Sequence, residues 1–215
     1  SVYRKRFKEL FFYLKVIQIA SVISLLYFTF QLSWIILIVF GGFATLTFLY
    51  TIPLLKRKNL RNFTGLKITI VAFVWAGVTV LAPILNEGIS LDVDIWLTFF
   101  QRFFIVFTLT LPFEIRDLQY DEITLETLPQ RVGVKKTKVI GILMLFFIML
   151  LELFKDFIQL NYLFSLEISL IVLLVFLLNS NKNQSNYLSS FWVEGIPILW
   201  FGIFGLLQYY FDISW

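Results

Sequence analysis

The chain has 215 residues, of which 59% are hydrophobic and 15% charged; 26 are Phe, and the formal net charge is +4. An ordinary soluble domain carries about 25% charged residues, and one core of this size cannot bury so much apolar surface, so a soluble fold is excluded and an integral membrane protein is predicted. With no Cys and no His, disulfides, thiolate nucleophiles, Ser-His-Asp triads and the usual zinc and haem ligand sets are excluded as well.

In chain order, the first feature is a basic stretch, Arg4 to Lys8, running into apolar residues. The apolar part is too long for a signal peptide and no small-residue cleavage site follows, so it reads as a membrane span. Residues 16–55 hold no charge over 40 positions, which is about twice what one helix needs to cross the hydrocarbon. Two spans are predicted, 10–30 and 34–52, joined by a turn near Gln31-Leu32-Ser33 and ended by Pro53 and the basic run from Lys56 to Arg61. Further spans are predicted at 68–85, stopping at Pro83 to Gly88, then at 95–113, 139–155, 160–179 and 189–211. Gly195 and Pro197 are expected to kink the last of them. The fold class is therefore all-α, a multi-spanning transmembrane bundle of about seven helices in a single membrane domain, 1–215. Continuous apolar runs without a period of two argue against a barrel.

The positive charge is distributed asymmetrically. With the N-terminus in the cytoplasm, fifteen of the 18 Lys and Arg residues fall in cytoplasmic segments, and the 85–94 loop has none. This predicts a cytoplasmic N-terminus, a C-terminus on the opposite side and a plasma (inner) membrane location. It also accounts for the basic balance without nucleic acid. Within the spans, Lys15 and Lys155 are expected to snorkel, and Glu152 and Lys155 to pair at i, i+3. Arg102, Glu167 and Glu194 stand out as intramembrane charges.

The segment after the fourth span carries the chemistry. If that helix continues past Pro112, Glu114, Asp117 and Asp121 share one face at i, i+3, i+7. Three like charges there repel, and a divalent cation would offset the cost. The string from Glu114 to Thr137 closely resembles the second aspartate-rich motif of the UbiA superfamily of intramembrane prenyltransferases: Asp117-x-x-x-Asp121, then Thr127-Leu128-Pro129, then Val132-Gly133 opening the next helix. Leu49-Tyr50-Thr51-Ile52-Pro53-Leu54-Leu55-Lys56 is similar to the Tyr-Ser-x-Pro-Pro-x-x-Lys/Arg stretch of the same family.

The resemblance maps the chain onto helices three to nine of the nine-helix family fold. It implies magnesium-dependent transfer of a prenyl group from an isoprenoid diphosphate to a lipophilic acceptor. It places Mg2+ on Asp117 and Asp121, with Tyr50 as an active-site aromatic and Lys56, Glu114, Arg116 and Arg131 around the diphosphate. Carboxylate-held magnesium suits an anionic leaving group, and aromatic faces suit an allylic cation.

Two departures stand against this. Residues 1–86 contain a single acid, Glu9, so the first aspartate-rich motif of the family, Asn-Asp-x-x-Asp in type, is absent. Either two N-terminal helices of the family fold lie outside this chain, which the Ser start favours, or the motif has been lost. After Asp121, a family Gly-Lys or Gly-Arg pair is replaced by a shorter stretch ending in Glu126. Two alternatives follow: a catalytically silent relative that binds isoprenoid or lipid, and a transporter using Arg102, Glu152 and Glu194 as a polar path.

Overall fold

The structure is a computed structural model that describes residues 2–51, 65–119, 127–185 and 188–211. Every element among them is helical. Helices α1 (Val2–Thr29) and α2 (Trp34–Thr51) are joined by the turn expected around Gln31 to Ser33. Helix α3 (Leu66–Ala76) runs through a π-helical turn (Gly77–Leu81) into α4 (Ala82–Asn86). Then come α5 (Val93–Asp117), the short α6 (Leu128–Val132), α7 (Val134–Leu153) and α8 (Leu160–Asn179). A second π turn (Leu188–Val193) leads into α9 (Ile196–Phe211).

Five of these stretches are long and apolar enough to cross a membrane: Phe11–Thr29, Leu66–Asn86, Val93–Asp117, Leu160–Asn179 and Ser190–Phe211. Together with the exposed apolar side chains, such as Phe146, Ile171 and Phe201, they make this an integral membrane protein, since a water-facing surface does not carry so many large apolar groups. The other two predicted spans are shorter in apolar reach. The apolar part of α2 is Trp34–Leu49. Helix α7 carries Lys135, Lys136 and Lys138 in its first turns and Glu152 near its end.

The third span ends at Asn86, within the expected Pro83 to Gly88 stretch, and two helices continue through a proline. At Pro83 the missing N–H and the ring would collide with the carbonyl four residues back. The π turn just upstream absorbs one extra residue, with the Ala82 N–H donating to the Gly77 carbonyl, and the helix continues to Asn86. Pro112 lies inside α5, which runs on to Asp117. In α9, Pro197 occupies the second position, where a missing N–H leaves no bond unmade; the break falls before it, at Glu194-Gly195.

Helix α5 is the axis of the bundle, packing on α3, α7 and α8. One core cluster joins Ile105 of α5 to Leu145 and Ile148 of α7, Leu166, Leu170 and Leu173 of α8, and Ile196 and Trp200 of α9. A second joins Ile68 and Ala72 of α3 to Phe107 and Leu111 of α5 and Leu177 of α8. Gly141 of α7 lets these helices approach: a Cβ there would lie 2.5 Å from Leu177 Cδ2 and 2.9 Å from Leu111 Cδ1. Helix α1 contributes no buried residue over its described apolar stretch.

At the start of α5, the Asp92 carboxylate accepts from the Ile95 N–H at 2.8 Å and so caps the helix. Asp94 reaches further. Its two carboxylate oxygens accept from the Asp156 and Phe157 N–H groups at 3.0 and 3.3 Å, which fixes the turn between α7 and α8 against α5.

Candidate functional site

The start of α3, the end of α5, the start of α7 and the end of α8 share one end of the bundle, as the Lys67–Glu114 and Lys138–Leu178 contacts confirm. Lys67, Arg116, Arg131, Lys135, Lys136 and Lys138 therefore gather there. The end of α5 presents the first part of the aspartate-rich string to this basic region.

Glu114 is buried, and its Oε1 accepts from Lys67 Nζ at 2.7 Å. Asp117 Oδ1 accepts from Arg116 Nε at 2.7 Å. Arg116 also donates to Ser190 Oγ at 2.9 Å and lies over the Phe113 ring at 5.5 Å. Gln184 Nε2 donates to the Pro112 carbonyl at 2.9 Å and ties the α8–α9 connection to the same turn. Helix α5 ends at Asp117, so the shared acidic face extends over Glu114 and Asp117. Of the other predicted site residues, Arg131 is exposed in the last turn of α6. Tyr50 falls near the end of α2; its side chain, all of Lys56 and all of Asp121 lie outside the described residues.

The Thr-Leu-Pro-x-x-x-Gly part of the string has a clear local role. The Thr127 N–H donates to Gln130 Oε1 at 2.9 Å at the start of α6, and Pro129 occupies the second position. Gly133 joins α6 to α7 at φ 83°, ψ 156°, a region open in practice only to glycine. Gly133→Ala is expected to destabilise the protein by roughly 1–3 kcal/mol through backbone strain, since a Cβ there would meet no neighbour. A Gly133→Ala variant that melts with the parent in detergent would refute that.

Glu114 and Asp117 are the described acids of the string. Each has one oxygen bonded to a basic side chain, and among the described residues no group of three acids is placed to hold a metal ion. The offset of like charge on this face comes from Lys67 and Arg116. Asp121, the other acid of the expected metal pair, lies outside the described residues.

At the opposite end of the bundle lies a polar cluster that sequence spacing exposed only in part. Glu152 and Lys155 do pair, Nζ to Oε2 at 2.6 Å, but inward: their side chains are 2% and 8% exposed, so Lys155 does not snorkel. Buried Gln101 completes the cluster. Its Nε2 donates to Glu152 Oε2 at 2.8 Å and to the Ile148 carbonyl at 3.1 Å, and its Oε1 accepts from Lys155 at 3.0 Å. Lys155 also lies 4.8 Å from the centre of the Tyr162 ring. With Glu152 sealed in this cluster and Glu194 exposed, the two do not line a common polar path. Gln101 carries no charge, so nothing in the sequence marked it as the third member.

No protein-family model, no curated protein and no solved structure matches this chain.

Proposed function

We propose that this chain is a membrane-embedded prenyltransferase-like protein that takes a prenyl group from an isoprenoid diphosphate to a lipophilic acceptor. The observation that carries the reading is the string from Glu114 to Gly133, with Asp117-x-x-x-Asp121, Thr127-Leu128-Pro129 and Val132-Gly133 spaced as in the UbiA superfamily. Its first residues end a central helix among basic side chains. An isoprenoid diphosphate needs this combination, a cationic mouth for its head above an apolar bundle for its tail. Arg116 and Lys67 offer donors to the head once they exchange their carboxylates for it, and Arg131 stands exposed nearby.

In this reading the bundle counts α2 and α7 as spans, seven in all, with the N-terminus cytoplasmic and the C-terminus on the opposite side of a plasma (inner) membrane. The basic end formed by Lys67, Arg116 and Lys135 to Lys138 supports that orientation. In the family pattern, Asp117 and Asp121 would hold magnesium, which would supply positive charge to the departing diphosphate.

A second reading is a catalytically silent relative that binds isoprenoid or lipid. The observation favouring it is that both described carboxylates are already bonded to basic side chains.

One experiment separates the two. The full chain in nanodiscs is titrated with farnesyl diphosphate, with and without magnesium, alongside Asp117→Asn and Asp121→Asn. The prenyltransferase reading expects magnesium-dependent binding that both variants abolish. Equal binding by parent and variants would sink it. Retained binding without turnover of any of a panel of prenyl diphosphates would favour the silent relative.

A further inference from the structure

Arg102 lies nine residues into α5, roughly 13 Å along the helix axis from its start. That is well inside an apolar span, where a guanidinium is normally paired or faces a polar cavity. Here it is neither. Among the described residues no carboxylate lies within ion-pair distance of Arg102, no acceptor bonds its guanidinium, and its Nε is buried without a partner. The nearby acid, Glu152, already accepts at Oε2 from Lys155 and Gln101. The guanidinium lies instead over the Trp200 ring, 4.5 Å from its centre.

Arg102 forms one wall of a cavity of about 120 Å3 between α3, α5, α8 and α9, lined also by Trp75, Leu109, Leu170 and Trp200. The hydroxyls in that lining are already donating elsewhere: Thr79 to the Trp75 carbonyl at 2.7 Å and Ser169 to the Ser165 carbonyl at 2.8 Å. Trp200 Nε1 donates to Ser165 Oγ at 3.1 Å. The cavity thus has apolar walls, no acid and one unsatisfied cationic donor group. Trp75, which is exposed on the outer face of the bundle, borders it and leaves a way out toward the lipid.

We propose that this cavity is a binding site for the carboxylate of an amphiphilic acid, held by Arg102, with the apolar chain leaving past Trp75 into the bilayer. Three features select that class. A planar carboxylate matches the fork of a guanidinium in two parallel hydrogen bonds. Trp200 beneath it holds the guanidinium plane in place. The volume falls below the roughly 300 Å3 at which pockets for whole drug-sized ligands begin, so it accepts a small head and the first part of a chain, the rest lying outside. The site lies toward the opposite end of α5 from Glu114 and Asp117 and does not depend on the prenyltransferase reading.

The test is binding to the full chain in neutral detergent, followed by native mass spectrometry and by quenching of tryptophan fluorescence with brominated oleate. Oleate is compared with methyl oleate and with phosphatidylglycerol. Oleate is expected to bind at least about tenfold more tightly than its neutral ester, and Arg102→Gln to lose that preference. Arg102→Lys should retain part of it. Equal affinity for oleate and methyl oleate in the parent protein would overturn the proposal without recourse to any variant. So would tighter binding of phosphatidylglycerol than of oleate, or undiminished oleate binding by Arg102→Gln.

Discussion

Lys155→Met is expected to destabilise the protein by about 3–5 kcal/mol, the range for removing one partner of a buried ion pair. The side chain lost is 8% exposed, and the carboxylate it leaves behind, Glu152, is 2% exposed. Glu152 keeps one hydrogen bond, from Gln101 Nε2 at 2.8 Å, which cannot replace a full charge in a buried site. Gln101 itself loses the donor to its Oε1, so two buried acceptors are left short. The double variant Glu152→Gln, Lys155→Met removes both charges and keeps a polar partner for Gln101. It should fall within about 1 kcal/mol of the parent, because burying a pair of charges carries a desolvation cost that its removal recovers. A double-mutant cycle on thermal unfolding in detergent measures both numbers. If Lys155→Met alone costs under about 1 kcal/mol, water reaches the cluster and the pair is not sealed.

The fold was largely legible because its signals are local. A charge-free run of 40 residues has to be folded back on itself, and the turn falls where Gln31, Leu32 and Ser33 interrupt it. The fourth helix runs past its expected end at 113 to Asp117, because a proline removes only one hydrogen bond and need not end a helix; at Pro83 a π turn upstream takes up the misfit. The candidate site was legible only as a string. The spacing of Glu114 and Asp117 showed a face of like charge, and a counter-ion followed from electrostatics. Its identity as Lys67 did not, because Lys67 is 47 residues away in sequence and meets Glu114 only through the packing of α3 on α5. For the same reason Gln101, 51 residues from Glu152, was invisible as its partner. Arg102 was visible as an intramembrane charge. Its lack of a carboxylate partner among the described residues is a property of tertiary packing alone.

The pair between Lys67 and Glu114 should respond asymmetrically to truncation, and that asymmetry bears on what this end of the bundle can bind. The Glu114 side chain is 4% exposed and that of Lys67 38%. Lys67→Met strands a carboxylate where water does not reach it, and should cost about 2–4 kcal/mol, less than the fully buried pair because the lysine is partly solvated. Glu114→Gln leaves an ammonium that can turn to solvent and an amide that keeps the shape of the acid, so the expected loss is about 1 kcal/mol or less. Thermal unfolding of the two variants in the same detergent checks the order, and equal losses would show that Glu114 is not desolvated. The order also predicts a difference in anion binding. Glu114→Gln removes a negative charge from the basic mouth beside Lys67 and Arg116, so inorganic diphosphate should bind this variant more tightly than the parent, by about threefold to tenfold. An unchanged affinity would mean that Lys67 does not face the space an anion enters, and would leave Arg116 and Arg131 as the described residues able to receive a diphosphate there.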